Sequence, residues 1–338
     1  MEIREQLQNK FVEDWLNSSR RAILKLAPRF GKTRCALLIV QKLNAKKILV
    51  VYPRKDIQSS WEKEITLLRI DVEVHYTTYR SLHKRVENYD LTIYDEQHEA
   101  SDNNLEEIAQ RKGDCIGLTG TMTRTTERNI LEKTGIYVCS EYSIEEGVED
   151  GVICDYEINV HKIPLIGTER ARFSSIIRRM QKAKGTYQNM LKLQAIGILQ
   201  KSQSKIEYTK KLIKEHENER LLIFCGQTEV ADQLGVDVYH SKKREKELFD
   251  KFCDGEGKHM ACVKLLQAGI TIKPINRAII NYTSGASEDC AQKICRLLGK
   301  EMYDKKAYIE FLSIDEEFDQ QRVKTALQFF DKNKIYGL

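Results

Sequence analysis

The stretch AILKLAPRFGKT, residues 22–33, joins an apolar run to a tight loop and then to the helical pattern of Arg34–Leu43. The apolar run Ala22–Leu26 predicts a buried strand. A strand, a tight loop and a helix that opens on Gly-Lys-Thr form the context that a phosphate-binding loop requires. Main-chain N–H groups at such a helix start face phosphate oxygens, and the helix dipole adds partial positive charge. The sequence therefore predicts a phosphate site at this point.

Individual residues of this loop suggest separate roles in binding a nucleoside triphosphate. Lys32 is expected to reach the β- and γ-phosphates, and the Thr33 hydroxyl is expected to hold Mg²⁺. Leu26 stands where Gly or Ala usually opens such a loop, and Arg29 replaces a loop glycine. Because a Gly-Lys-Thr triplet alone is a weak signal, the prediction depends on the strand and helix around it.

Length and composition favour two domains in a reducing compartment. The 338 residues are enough for two domains of about 150 each, and the net charge of +5 argues against a nonspecific polycation while permitting a local basic groove. Nine cysteines lie scattered without a CxxC pair, which argues against a zinc site or a disulfide framework and favours the cytoplasm. Neither a signal peptide nor a membrane-spanning run is visible, so no membrane partner is expected.

Short apolar runs alternate with amphipathic helical stretches in both halves of the chain. The predicted strands are Ala22–Leu26, Lys47–Tyr52, Val72–Tyr76, Leu91–Tyr94, Cys115–Leu118, Glu157–His161, Arg220–Phe224, Val236–Tyr239, Met260–Leu265, Arg277–Asn281 and Lys306–Leu312. Strands buried on both faces and separated by helices predict an α/β fold with parallel, doubly wound sheets. The expected domains are residues 1–155 and 156–338, and the second begins with a basic helical stretch from Thr168 to Lys214.

An acidic pair follows the predicted strand Leu91–Tyr94, in the sequence DEQH of residues 95–98. Carboxylates at the C-terminal end of a parallel strand lie at the rim where ligands bind. Asp95 is expected to orient Mg²⁺ through its water shell, and Glu96 to position and deprotonate an attacking water. The alternative is a strand that ends in an ordinary polar turn, where acidic pairs are common.

A third predicted strand ends in a hydroxyl-rich loop, TGTMTR of residues 119–124. The side chains of Thr119 and Thr121 are expected to bond Gln97 or His98 and so to couple the two loops. Three phosphate-facing strand ends in one sheet are hard to obtain by chance, and together they favour a nucleotide site.

The order of these motifs resembles the first domain of superfamily 2 helicases, and the resemblance covers nearly the whole chain. It implies two tandem RecA-like domains that hold ATP in the cleft between them, with ATP and Mg²⁺ as cofactors. The residues implied to contact ATP are Gln8, Pro28, Arg29, Gly31, Lys32, Thr33, Arg34, Gly269 and Gln292.

The segment QKICRLLG, residues 292–299, is similar to the Q-x-x-G-R-x-x-R motif of the second helicase domain. Arg296 falls on the first arginine, which implies that it reaches the γ-phosphate as an arginine finger. Cys295 replaces the glycine, and Gly299 replaces the second arginine with Lys300 beside it. Since an arginine finger contributes on the order of a thousandfold or more in rate, three possibilities stay open: Lys300 substitutes, hydrolysis is slow, or Arg296 acts alone.

Several loops resemble the strand-binding motifs of the same superfamily. The residues implied to contact nucleic acid are Pro53, Arg54, Lys55, Thr78, Tyr79, Arg80, Gln227, His240 and Lys264. Phosphate contacts carry little sequence information, so binding is expected to be nonspecific and salt-dependent. The segment EYSIEEG, residues 141–147, which runs on to Asp155 and Tyr156, is similar to the exit segment of phage branched-DNA helicases and DNA-repair translocases and favours DNA over RNA.

The predicted function is that of an ATP-dependent DNA helicase or translocase. An RNA helicase and a degenerate ATPase scaffold with slow turnover are the alternatives, whereas a small-molecule kinase would leave the second sheet unexplained. The basic stretch after Thr168 either grips duplex DNA or forms a solvated face of linking helices. Trp15 and Trp61 are expected to be packing residues.

Overall fold

The computed structural model describes residues 2–242, 245–263, 272–273, 275–283, 287–295, 297–298 and 306–338, apart from the side chains of Asp56 and Asp289. Two compact units make up the described chain, the first ending at Ile153 and the second beginning at Cys154. Each unit is built around a sheet of its own. Within the described residues, every helix is too short or too polar to cross a membrane.

The first unit has a six-stranded sheet in the order β3-β2-β4-β5-β1-β6. Its strands are β1 (Arg21–Leu26), β2 (Lys47–Tyr52), β3 (Glu73–Thr78), β4 (Leu91–Asp95), β5 (Cys115–Thr119) and β6 (Tyr137–Tyr142). Its α-helices are α1 (Ile3–Leu16), α2 (Lys32–Leu43), α3 (Gln58–Leu68), α4 (Asp102–Gln110), α5 (Arg124–Thr134) and α6 (Ile144–Glu149), and short 3-10 helices lie at Lys55–Ile57, Tyr79–Lys84 and Gln97–Glu99. All neighbouring strands pair in parallel.

Burial explains why apolar and polar residues do not alternate along the central strands of this sheet. Every residue of β4 and β5 is buried, since helices cover both faces of a parallel sheet. On α2 the buried positions Cys35, Ala36, Leu37, Ile39 and Val40 form the apolar face, and each large aliphatic side chain buried there contributes about 1.5–3 kcal/mol. Strands β4, β5 and β1 are contiguous, so the loops that follow their carboxyl ends meet at one edge.

The second unit has a seven-stranded sheet in the order β13-β7-β12-β11-β8-β10-β9. Its strands are β7 (Tyr156–Ile163), β8 (Leu221–Cys225), β9 (Asp237–Tyr239), β10 (His259–Val263), β11 (Arg277–Ile280), β12 (Ala307–Ile314) and β13 (Ile335–Tyr336). Its helices are α7 (Gly167–Lys182), α8 (Gly185–Lys201), α9 (Gln203–Glu215), α10 (Thr228–Asp232), α11 (Lys246–Cys253), α12 (Ser287–Cys295) and α13 (Glu317–Ala326). These strands also pair in parallel.

The predicted fold class, α/β with parallel sheets, is confirmed. Two strands were not predicted, β6 and β13, and both have local causes. Strand β6 lies at the sheet edge beside β1 and has a single buried residue, Tyr142, so it lacks the apolar run that marks a central strand. Strand β13 has two residues. The basic helical stretch is three helices, interrupted at Ala183 and Ser202.

Candidate functional site

The loop between β1 and α2 has the geometry of a phosphate-binding turn. Gly31 precedes the first residue of α2 with φ +103°, a conformation that side chains rarely adopt. A Cβ at this position would lie 2.6 Å from Gln8 Nε2. The Ala27 N–H donates to the main-chain oxygen of Tyr142 (2.8 Å), and this bond links the start of the loop to β6. These contacts fix the position at which α2 begins, and with it the position of the main-chain N–H groups in its first turn.

Lys32 lies at the start of α2 and faces the acidic motif. Its Nζ is 3.4 Å from Glu96 Oε1, and its side chain is 14% exposed. A Cβ on Gly120 would lie 2.7 Å from the same Nζ, so glycine at position 120 leaves room for the lysine. The loops after β1, β4 and β5 thus converge on the ammonium group.

Asp95 is the last residue of β4, and its carboxylate is held on both oxygens. Trp61 Nε1–H donates to Oδ2 (2.9 Å), and the Glu96 N–H donates to Oδ1 (3.0 Å). The Tyr79 hydroxyl donates to the main-chain oxygen of Asp95 (2.9 Å). Trp61 is buried as predicted for a packing residue, but its hydrogen bond to Asp95 was missed. The available signal was that a buried indole N–H usually has an acceptor.

Glu96 occupies a strained main-chain conformation with φ +46°. Non-glycine residues in the left-handed region cost on the order of 1–3 kcal/mol and cluster at functional sites. The Gly120 N–H hydrogen bonds the carboxylate, and His98 Nδ1 lies 3.5 Å from Oε2. Oε2 is buried and has no hydrogen-bond partner. A buried carboxylate oxygen with spare acceptor capacity is suited to a water molecule.

The two carboxyls have pKa values displaced in opposite directions. Burial, and then the neighbouring Glu96 carboxylate, raises the pKa of Asp95. Burial alone would also raise the pKa of Glu96, but Lys32 and then His98 lower it further than burial raises it. Since like charges in a shared buried site repel, a cation beside Asp95 would favour the ionised form of both groups.

A hydrogen-bond chain connects the acidic motif with the loop after β5. His98 Nδ1 and Thr119 Oγ1 are 2.8 Å apart, and the Thr119 hydroxyl donates to the Thr121 oxygen (3.2 Å). The threonine hydroxyl therefore accepts from His98 Nδ1–H, which fixes the tautomer. Gln97 is fully buried, and both polar atoms of its amide lack partners. The coupling role of these residues stays a prediction.

A pocket of about 460 Å³ lies beside the phosphate loop. It is lined by Glu2, Arg4, Glu5, Gln8, Phe30, Gly31, Thr33, Arg34, Ser60 and Glu64. Gln8 is buried, and its Nε2 donates to the Phe30 oxygen (3.1 Å). Pro28 is buried, whereas Arg29 and Arg34 are half-buried. The first unit therefore brings its predicted nucleotide residues together around one pocket and one helix start.

The donor set at this edge fits ATP and Mg²⁺. The Thr33 hydroxyl and the Asp95 carboxylate are hard oxygen ligands of the kind that Mg²⁺ prefers. The start of α2 and Lys32 suit phosphate oxygens. The partnerless Glu96 Oε2 and the left-handed Gly31 are the structural observations that agree with such a ligand.

The residues assigned to ATP in the second domain lie partly outside the described residues. Gln292 is half-buried on α12, and Cys295 is buried at the end of that helix. Gly269, Arg296, Gly299 and Lys300 lie outside the described residues. The arginine-finger assignment therefore stays a prediction.

The predicted nucleic-acid residues differ in how accessible they are. Lys55 and Arg80 are exposed, whereas Pro53, Arg54 and Thr78 are half-buried. Tyr79 is buried and uses its hydroxyl inside the unit. In the second unit Gln227 donates to Gln200 Oε1 (2.8 Å), and the buried His240 contacts Asp232 Oδ1 (3.2 Å). Lys264 lies outside the described residues, and the nucleic-acid contacts of these residues stay a prediction.

Known proteins with related sequences include a DNA translocase, a probable helicase and restriction-enzyme subunits. The family described as "Type III restriction enzyme, res subunit" matches residues 1–73. The DNA 3′-5′ translocase XPB2 of Sulfurisphaera tokodaii is 24% identical, over 89% of this chain and 79% of that protein. A probable helicase of African swine fever virus is also 24% identical, over 89% of this chain and 39% of the viral protein.

The same fold occurs in a solved helicase structure. The crystal structure of the Pyrococcus furiosus Hef helicase domain matches with a TM-score of 0.57 at 12% identity, covering 96% of this chain and 99% of that one. At this identity the match speaks for the fold alone. Together, sequence and fold relate this chain to superfamily 2 helicases and translocases.

Proposed function

We propose that this protein is an ATP-driven motor that moves on or remodels DNA. The observation that carries the proposal is the meeting of Lys32, Asp95 and Glu96 at the carboxyl edge of the first sheet, next to the left-handed Gly31. The alternative of a strand ending in an ordinary polar turn does not account for a partnerless buried carboxylate oxygen.

Binding of ATP would begin with an exchange of partners at Lys32. The lysine would give up its contact with Glu96 (3.4 Å) for phosphate oxygens, which also face the N–H groups of α2. Thr33 and Asp95 would hold Mg²⁺, which when bound neutralises charge on the phosphates. Gln8 and Arg34 line the adjacent pocket and are the candidates for contacts with the rest of the nucleotide.

Hydrolysis requires a base that is ionised and has a free acceptor. The lowered pKa of Glu96 keeps its carboxylate ionised at neutral pH, and Oε2 accepts no hydrogen bond. Glu96 would therefore accept a proton from the attacking water, a role that depends mostly on placement. The resemblance to superfamily 2 adds Arg296 at the γ-phosphate, with Gly269 and Gln292 as further contacts of the second domain.

Conversion of hydrolysis into movement would start from the loop contacts. His98 and Thr119 join the acidic motif to the loop after β5 (2.8 Å), so a shift of Glu96 on nucleotide exchange has a direct path to a second loop. Switches in nucleotide-driven proteins act by ordering and releasing such loops around the γ-phosphate. Exposed Lys55 and Arg80 are the candidates for phosphate contacts with the nucleic acid.

DNA is the proposed substrate because the sequence relatives favour it. XPB2 of Sulfurisphaera tokodaii is by name a DNA translocase, and the exit segment of residues 141–147 resembles that of DNA-remodelling helicases. RNA is the alternative substrate, and the experiment below distinguishes it from DNA.

The test is steady-state ATPase activity with duplex, forked and single-stranded DNA and with RNA. We expect DNA to stimulate turnover, and we expect Lys32→Ala to abolish the stimulated rate. The matched control is Lys211→Ala, which removes an exposed lysine paired with Glu215. Stimulation by RNA alone would overturn the choice of DNA. DNA-stimulated turnover by Lys32→Ala at the parental rate would overturn the ATP site itself.

A further inference from the structure

Helices α7 and α8 form a hairpin whose charge differs from that of the rest of the chain. Two residues, Ala183 and Lys184, connect them, which makes them antiparallel neighbours. Residues 167–201 contain eight Lys and Arg against one Glu. Subtracting these from the totals of 55 basic and 50 acidic residues leaves 47 basic and 49 acidic elsewhere. The whole positive excess of the chain is therefore located in this hairpin.

One face of the hairpin attaches it to the second unit. On α7, Phe173 is buried and packs against Phe318 of α13, with ring centroids 6.2 Å apart. The only acidic residue, Glu169, accepts hydrogen bonds from Ser202 (3.1 Å) and Gln203 (3.0 Å) at the start of α9. The base of the hairpin is therefore fixed to α9, and the Glu169 carboxylate already accepts hydrogen bonds there.

The opposite face presents basic side chains to solvent. Arg178, Arg179 and Lys182 are all exposed. Among the described residues, Lys201 has a carboxylate partner, Glu229 at 2.8 Å. No such ion pair within the described part of the chain involves the remaining basic residues of the hairpin, Arg170, Arg172, Arg178, Arg179, Lys182, Lys184 and Lys192. The described residues of the unit leave this charge without carboxylate partners, so an external anion fits it.

The aromatic side chains of the hairpin argue for a duplex rather than a single strand. Proteins that hold single strands stack bases on exposed rings. Phe173 is buried, and the Tyr187 ring lies under the Arg179 guanidinium, 5.9 Å from its centroid. Tyr187 is 46% exposed and is therefore the one ring of the hairpin that a base could reach, whereas single-strand platforms stack successive bases on several rings. A duplex instead presents only phosphates along its outside, with one charge per about 1.7 Å of its axis.

We propose that the exposed face of the α7–α8 hairpin binds the phosphate backbone of duplex DNA. The proposal rests on the proposed motor function and identifies the surface that would hold the DNA. From Arg172 to Lys182 the helix rises about 15 Å, which spans roughly four phosphates of one strand at about 3.4 Å each. The positive face thus matches a short stretch of backbone in charge and length.

The test compares two triple variants that lose the same charge. The first is Arg178→Ala with Arg179→Ala and Lys182→Ala; the control is Lys210→Ala with Lys211→Ala and Lys214→Ala on α9. Equilibrium binding to a 25-base-pair duplex is measured across salt concentrations without nucleotide. The hairpin variant should bind at least about tenfold more weakly at low salt, and its slope of log K against log salt should fall by about 0.9 per lost phosphate contact.

Three outcomes would overturn the hairpin assignment: an unchanged slope, an equal loss in the control, or a loss seen with RNA or single strands but not with duplex DNA. DNA-independent ATPase activity and melting temperature should match those of the control, which shows that the variant is folded. If the parental protein itself binds no nucleic acid, the proposed function fails. If the parent binds and the hairpin variant binds equally well, the hairpin assignment fails alone.

A second observation concerns how Asp95 is anchored. Trp61 lies on α3, just after the predicted nucleic-acid loop of Pro53–Lys55, and Tyr79 begins the 3-10 helix beside Arg80. These two side chains bond the carboxylate and the main-chain oxygen of Asp95, both at 2.9 Å. The predicted Mg²⁺ ligand is therefore bonded directly to Tyr79 of the second nucleic-acid loop and to the helix that follows the first.

We infer that Trp61 and Tyr79 are positioning residues that set Asp95 for Mg²⁺ and transmit DNA contact to it. This inference also rests on the proposed function. Trp61 provides the sharper test because the chain has two tryptophans and the other, Trp15, is equally buried with no hydrogen-bond partner on Nε1. Trp15→Phe is thus a matched control for Trp61→Phe.

Two measurements decide the second inference without relying on turnover. The Mg²⁺ concentration for half-maximal binding of fluorescent ADP should rise about tenfold in Trp61→Phe, because a hydrogen bond to a charged group is lost, and should stay unchanged in Trp15→Phe. In Trp15→Phe, the single indole of Trp61 should change its emission when duplex DNA binds without nucleotide. An unchanged Mg²⁺ requirement, or unchanged emission under demonstrated DNA binding, would overturn it.

Discussion

Lys32 in the first unit and Lys205 in the second both have largely buried side chains, and their surroundings differ. Lys32 faces the Glu96 carboxylate at 3.4 Å beside a pocket. Lys205 on α9 is 1% exposed, and burial lowers its pKa to about 8, with Asp319 offsetting part of the effect. The Asp319 carboxylate is already occupied by the Ile314 N–H (2.8 Å) and by Arg322 (3.1 Å).

The difference shows that burial of a charge does not by itself mark a ligand site. Lys32 can exchange its carboxylate for a phosphate, because it lies at a glycine turn and a helix start whose neighbouring residues, Gly31 and Thr33, line a pocket. Lys205 has a shared anion and a closed environment, so it is a charge retained inside a core at a cost. The comparison predicts loss of function on changing the first site and gain of stability on changing the second.

The largest expected effect is on turnover at the first site. Glu96→Gln should lower the DNA-stimulated ATPase rate by about 10²–10⁴-fold, the usual contribution of a general base. Nucleotide binding should survive, since the amide keeps the shape of the side chain. Single-turnover hydrolysis and ADP affinity measure the two properties separately. A rate within threefold of the parent would remove Glu96 from the mechanism.

The next effect is on stability at the second site. Lys205→Met should raise the free energy of unfolding by about 2–3 kcal/mol at pH 7, because a pKa lowered from 10.5 to about 8 disfavours the charged folded state. The cost of Lys205 is complete below pH 8 and vanishes as pH rises to 10.5, so the gain should shrink by more than half by pH 9.5. Urea unfolding at both pH values measures it; a gain that does not vary with pH would contradict the account.

A smaller effect tests how tightly the first site is packed. A Cβ on Gly117 would lie 1.8 Å from Gln97 Oε1 and 2.8 Å from Ile23, so Gly117→Ala should destabilise the protein by about 1–3 kcal/mol. Combining it with Gln97→Ala should restore part of the loss. The control is Gly197→Ala on α8, where nothing lies within 4 Å of an added Cβ. Thermal unfolding in which the two alanine variants behave alike would refute the packing argument.

The smallest effect is expected at Arg29, which stands where phosphate-binding loops usually have a glycine. This residue has φ +70°, a position where glycine avoids the cost of about 1 kcal/mol or more that a side chain incurs. Arg29→Gly should therefore change stability by less than about 1 kcal/mol, because relief of strain offsets the added entropy of the unfolded chain. Differential scanning calorimetry measures the change, and a loss above 2 kcal/mol would mean that the arginine side chain matters more than its backbone.

Sequence patterns predicted most of the fold because its central strands are buried runs. Strands such as β2 matched to the residue, and the parallel class followed from alternation with helices. Edge elements were not predicted: Tyr142 is the one fully buried residue of β6, and the place of this strand beside β1 depends on long-range pairing. The start of α2 at Lys32 rather than Arg34 reflects the glycine turn, which periodicity does not detect.

The sequence predicted the residues of the candidate site but not the neighbouring residues that hold them in place. The motifs named Lys32, Asp95 and Glu96, since chemistry restricts which residue types bind phosphate and metal. They did not reveal that Trp61 holds Asp95 or that Gly120 leaves room for Lys32, because such contacts join residues far apart in sequence. Tyr79, predicted to touch nucleic acid, is buried and donates to the main-chain oxygen of Asp95, a contact that local sequence does not show.

Equilibrium binding of fluorescent ATP to Lys32→Met and Lys205→Met separates the two sites, because both variants replace a lysine with a largely buried side chain by the same apolar residue. We expect Lys32→Met to lose at least about a hundredfold in affinity and Lys205→Met to bind as the parent does. Equal affinity in the Lys32 variant, or an equal loss in both, would contradict this expectation.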